Sequence, residues 1–212
     1  MKKRSLTRFL VSGVFGANGV WIYLHFQGSD VLWLYENNVP GYSRLKLACY
    51  RWYIRRFLKL NHIYAFINSE KLRPYLEQFG FRKDRIELRE VPWQKVKVKR
   101  IKHKGFNALF YLPERYTNTK YRNWIYGKEY LDQLRVLCPD VNWVVADSSL
   151  NMPETYKTID CYVKINRCKH SDRNRISKEC AYNNIPERAF DVWEKDFKIE
   201  EIVDWINSLN LK

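Results

Sequence analysis

Short runs of β-branched and aromatic residues alternate along this chain with longer segments at helical spacing. This rhythm constrains the fold more than any other feature. Residues 20–26 (Val-Trp-Ile-Tyr-Leu-His-Phe) form one apolar run, closed by the turn signal Gln27-Gly28-Ser29-Asp30. A helix is predicted over 43–60, with Leu47, Tyr50, Ile54, Phe57 and Leu58 on one face and Ser43 as N-cap. Arg44, Arg51, Arg55 and Lys59 make a second stripe on it. A strand over 62–67 follows, then a helix over 70–79 capped by Asn68-Ser69 and ended by Gly80, then a strand over 85–91 closed by Pro92-Trp93.

The second half repeats the pattern. Strands are predicted over 107–112, 141–146, 160–165 and 185–190. Helices are predicted over 124–137, 173–183 and 194–209, with a helical turn over 152–156. In the last helix Ile199, Ile202, Val203, Ile206 and Leu209 form an apolar face. Strands separated by helices of roughly ten to fifteen residues define parallel α/β units, whose ligands bind at loops beyond the C-terminal ends of strands.

Residues 94–105 break the rhythm. They hold Lys95, Lys97, Lys99, Arg100, Lys102 and Lys104, with little apolar content, and mark a boundary. The expected organisation is an N-terminal lobe over 1–93, a basic connector over 94–105 and a C-terminal lobe over 106–212. At the start, Met1-Lys2-Lys3-Arg4 and the segment 9–26 faintly resemble a signal peptide or membrane span. Gly13, Gly16, Asn18, Gly19 and His25 interrupt it, so a helix or turn leading into a buried strand is expected instead.

Across 212 residues, 46% are hydrophobic, enough for a substantial core and too many for a disordered chain. Lys and Arg number 38 against 23 Asp and Glu, a formal charge of +15. Such a charge calls for an anionic partner: nucleic acid, a phosphorylated small molecule or an acidic membrane surface. A lysine-rich surface serving solubility is the competing reading. Cys49, Cys138, Cys161, Cys168 and Cys180 are odd in number and form no C-x-x-C pair. That argues against a disulfide framework and a structural zinc site, and for a reducing, cytoplasmic setting.

Five segments in order resemble the GT-B glycosyltransferases, most closely the retaining family 4 type. His25-Phe26-Gln27-Gly28-Ser29-Asp30 is similar to the His-Gly-Ser-Asp turn of the family's N-terminal domain. Ile67-Asn68-Ser69-Glu70-Lys71-Leu72 resembles its strand-to-helix step, and the segment 84–92 its strand before the interdomain crossing. Leu112-Pro113-Glu114-Arg115 with Lys120 resembles the Arg…Lys pair that opens the donor domain. The segment 170–186, containing Glu179-Cys180-Ala181, resembles the helix bearing the second glutamate of the family's E-x7-E pair.

The resemblance implies two Rossmann-like lobes with parallel sheets, the N-terminal one reduced. It also implies a metal-independent, retaining transfer of a sugar from a nucleotide-diphosphate donor to a glycan, lipid or protein acceptor. No cofactor is needed beyond the donor. Arg115 and Lys120 would hold the diphosphate, because a leaving group of that charge needs cations or helix N-termini around it. Glu179 would accept hydrogen bonds from ribose hydroxyls, with Asp172 near it. His25 would act from the N-terminal lobe, with Gly28 and Asp30 on the acceptor side. Three departures stand out. Ser171 occupies the position of the first glutamate, Gln27 that of the His in the His-Gly-Ser-Asp turn, and only about ninety residues precede the connector. A catalytically inactive relative is therefore an alternative. A nucleic-acid-binding protein is another, resting on the charge and on Tyr and Trp residues able to stack on bases. The Arg44, Arg51, Arg55, Lys59 stripe points to an anionic membrane surface and a peripheral place at its inner face.

Overall fold

The alternating pattern becomes two four-stranded sheets in a computed structural model of the chain. The structure describes residues 11–16, 19–26, 29–60, 62–90, 92–93, 95–114, 118–147, 149–168 and 174–210. The chain divides into two compact units, Met1–Val91 and Pro92–Lys212.

In the first unit the strands are β1 (Val11–Gly16), β2 (Gly19–Phe26), β3 (Ile63–Ile67) and β4 (Ile86–Leu88), in the order β1-β2-β3-β4. β2, β3 and β4 run parallel, as the rhythm requires, but β1 runs antiparallel to β2. The expected helix or turn before the first strand is thus a strand over 11–16, whose register runs from Val11 opposite Leu24 to Gly16 opposite Gly19. Its helices are α1 (Ser29–Tyr35), α2 (Arg44–Phe57) and α3 (Arg73–Phe79). α1 is absent from the sequence reading. Side chains alternate across the sheet: Leu24, Phe26, Ile63, Ala65 and Ile67 meet Val31, Leu34, Ile54, Leu72 and Leu76 in one core.

The local signals read from the sequence hold here. Ser43 caps α2, its hydroxyl accepting from the Lys46 amide at 3.2 Å. Ser69 caps the 3-10 turn that precedes α3, and Gly80 ends α3 at a φ of 116°, a left-handed conformation natural to glycine.

The second unit contains β5 (Phe106–Tyr111), α4 (Thr119–Ile125), α5 (Lys128–Leu137), β6 (Val141–Ala146), α6 (Met152–Thr155), β7 (Cys161–Asn166), α7 (Arg175–Tyr182), β8 (Glu187–Asp191) and α8 (Glu200–Asn210). Its sheet is wholly parallel, in the order β6-β5-β7-β8. One face packs Ala108, Phe110, Val163 and Ile165 against Leu131 and Leu134 of α5 and Ile202 and Ile206 of α8. The other packs Leu109 and Tyr162 against Tyr156, Ile176 and Cys180 beside α6 and in α7. A parallel sheet covered on both faces is the Rossmann-like α/β arrangement.

Two expectations need correction. The helix expected over 124–137 is two helices, broken at Gly127 with φ 71°. The helix expected from 194 starts at Glu200, because Asp191, Glu194 and Phe197 take part in successive tight turns first.

The basic connector belongs to the second unit. Val98 donates its amide to Asn183 Oδ1 at 2.8 Å, and Asn183 Nδ2 returns a bond to the Val96 carbonyl at 3.2 Å. Arg100 and His103 both reach Asp160. So the stretch from Val96 to His103 is tied to residues around α7 and β7. No helix among the described residues is long and apolar enough to cross a membrane.

Candidate functional site

In the second unit, the connection after β5 leads to β6 on one side, and the chain then returns to place β7 on the other. The strand order therefore reverses between β5 and β7. In open α/β sheets that reversal opens a crevice beyond the C-terminal strand ends. The connections leaving β5 and β7 flank that reversal.

After β5 the chain stays close to β6: the Leu112 amide donates to the Ala146 carbonyl at 3.1 Å, and Glu114 to the Asp147 carbonyl at 2.9 Å. Arg115 follows at once, outside the described residues. The next helix, α4, is capped by Asn118, whose Oδ1 accepts from the Tyr121 amide at 3.1 Å. Lys120 is exposed in its first turn.

The loop after β7 opens with Arg167, which the sequence reading did not single out. Its Nε donates to the Trp124 carbonyl at 3.0 Å, its guanidinium lies over the Tyr130 ring at 4.8 Å, and it pairs with Glu129. Burial pulls its pKa down from the ordinary arginine value. Asn166, just before it, donates to Asp191 at 2.9 Å. Asp172 lies outside the described residues. Asn174 then caps α7: its Oδ1 accepts from the Ser177 amide at 2.8 Å, and its Nδ2 donates to the Tyr162 hydroxyl at 2.9 Å.

Glu179 lies one turn further along α7 and is 3% exposed. A buried carboxylate needs partners, and two are in place. Tyr156 donates its hydroxyl to Oε2 at 2.6 Å, and Arg175 donates Nε to Oε1 at 2.6 Å. Burial and the carboxylate together push the Tyr156 hydroxyl far above the ordinary tyrosine range, so it stays a donor. Arg175 was readable as an i, i+4 partner of Glu179. Tyr156 was not, since a bond across 23 positions leaves no periodic trace.

In the first unit, His25 sits near the end of β2 opposite Phe66 of β3, its ring edge-on to the Phe66 ring at 4.9 Å. Burial first, and then the Arg89 charge, hold the imidazole below its usual 6.5. Neutral imidazole is the form able to take a proton. Gly28 lies outside the described residues, and Asp30 is the second residue of α1. Around His25, Tyr23 stacks on Tyr64 and Phe66 at 5.4 and 4.6 Å, while Arg89 covers Phe66 at 3.4 Å and Arg85 covers Tyr64 at 4.8 Å. Those rings, which could have stacked on bases, already carry other rings and guanidinium groups. Among the described residues no group of three or more His, Cys, Asp or Glu is arranged to hold a metal ion.

No family model, curated protein or solved structure matches the chain.

Proposed function

We propose that the second unit binds the nucleotide-diphosphate sugar of a GT-B-type glycosyltransferase. One observation carries this reading: the two connections that flank the β5–β7 reversal are the ones bearing the donor residues chosen from sequence. Arg115 and Lys120 follow β5. Asp172 and Glu179 follow β7.

The chemistry needs such an arrangement. When the glycosidic bond to the diphosphate breaks, negative charge grows on the departing oxygen, and fixed cations lower the barrier. Arg115 and Lys120 take that task. Glu179 accepts from the ribose hydroxyls, the role the family resemblance gives it, a carboxylate being a two-oxygen acceptor. His25, with Gly28 and Asp30 near it in sequence, belongs to the acceptor side. Neither a metal nor another cofactor has a part in this reading.

Turnover is the test. The chain is incubated with UDP-, GDP- and ADP-sugars plus candidate glycan and lipid acceptors, and nucleoside diphosphate release is followed with and without chelator. Release from one donor that survives chelation and falls by about a hundredfold or more in Lys120→Ala supports the transferase. Donor binding without release identifies an inactive relative. No binding of any donor refutes the reading.

A further inference from the structure

The outward face of α2 carries what a core would normally hide. Leu45 is 74% exposed, Trp52 59% and Tyr53 57%. The helix already has an inward face, formed by Leu47 and Ile54. Leu45, Cys49, Trp52 and Arg56 follow at spacings of four, three and four, so they lie along one line on the opposite side. Tyr53 flanks that line, its ring edge against Trp52 at 5.0 Å. Lys59 prolongs it just past the helix end.

Charge around this face has one sign. Between Glu36 and Glu70 the chain has six Lys and Arg residues and no Asp or Glu. They do not all face outward. Arg51 turns inward, donating to the Glu36 carbonyl at 3.0 Å and Asn37 Oδ1 at 2.8 Å, and Arg55 lies over the Phe79 ring at 5.1 Å. Arg44, Lys46, Arg55, Arg56 and Lys59 are all exposed, and of these Arg56 lies on the apolar line and Lys59 prolongs it.

We propose that this face of α2 docks on a negatively charged lipid bilayer. Leu45, Trp52 and Tyr53 would sit at headgroup level while Arg56 and Lys59 contact anionic headgroups. Trp and Tyr favour the bilayer interface because one end of each ring is apolar and the other polar. Basic side chains beside them add electrostatic attraction to acidic lipid. A second copy of the chain is a poorer occupant, since pairing two such faces sets cation against cation. Nucleic acid would use the cations but gains little from an exposed leucine. The proposal is independent of the sugar-transfer reading.

Cys49 on this face gives a direct probe. It is the one exposed cysteine of five, and the other four are buried. Burial pushes the Cys161 thiol up to about 12, which leaves little of the reactive thiolate. The full chain, labelled at Cys49 with an environment-sensitive fluorophore, is mixed with phosphatidylcholine vesicles with or without phosphatidylglycerol. Unlabelled protein is co-sedimented in parallel.

A blue shift and sedimentation with the mixed vesicles only, weakened by salt, are expected. The combined Leu45→Ser, Trp52→Ser, Tyr53→Ser variant and the Arg56→Glu, Lys59→Glu variant should each lose about tenfold or more in affinity. Their melting and nucleotide-sugar binding should match the parent, which separates a docking defect from a fold or donor defect. Three results would overturn the proposal: no sedimentation with mixed vesicles, unchanged affinity in both variants, or an oligonucleotide that displaces the vesicles and loses its own binding in the serine variant. Self-association abolished by the serine substitutions would overturn it too, in favour of a second copy.

Discussion

Gly127 shows how one residue decides a stretch of architecture. Its φ of 71° permits the turn between α4 and α5, and an added Cβ would stand 2.7 Å from Ile165 Cγ2. Gly127→Ala therefore combines backbone strain with a collision against β7. It should cost about 1–3 kcal/mol, read as a lower urea midpoint with unchanged slope. His25 gives a second prediction. Burial and Arg89 lower its folded pKa, so the unfolded chain binds more protons below about pH 6.5, the ordinary value. Its contribution is present above that pH and is lost as pH falls through the folded pKa. An NMR titration should give a His25 midpoint below 6.5, and one above it would refute the burial described here. Legibility follows the range of the interaction at this scale. The caps at Ser43 and Ser69 could be read because each closes on a neighbour within three residues. The Tyr156–Glu179 bond could not, because packing alone brings those groups together.

Elements were legible where burial imposes a period. The run from Phe106 to Tyr111 is buried nearly throughout, as a central parallel strand should be, and the apolar face of α8 lies on the core. α1 went unseen because its seven residues are too short to establish a helical period. The break at Gly127 was missed because apolar spacing continues across it. The basic stripe of α2 is the clearest case of pattern without geometry. Sequence spacing treats Arg44, Arg51, Arg55 and Lys59 alike, yet Arg51 reaches the carbonyl groups at the end of α1. There it meets backbone carbonyls at the negative end of the helix. Arg51→Ala should destabilise the first unit by about 1–2 kcal/mol, whereas Lys59→Ala should change stability by under about 0.5 kcal/mol. Equal effects in a thermal melt would contradict the distinction.

At the scale of the whole molecule, the positive charge has several distinct destinations. Some of it ties residues 95–104 to the second unit through Asp160 and the end of α7. Some braces α1 and the aromatic face of the first sheet. Exposed cations on α2 and Lys120 beside the β5–β7 reversal are further parts of it. The parallel strands of both sheets were legible, since apolar runs alternate with segments at helical spacing. The antiparallel β1 was not, because pairing direction depends on a reversal that composition does not encode. The donor residues were selected by resemblance, and the sheet order supplies the independent physical reason to look at the same loops. The most direct measurement is a calorimetric titration of UDP-, GDP- and ADP-sugars into the full chain and into Arg115→Ala and Lys120→Ala, with chelator present. One donor should bind, and each substitution should weaken it by about tenfold or more. Binding by none of the three, or undiminished binding in both variants, would contradict it.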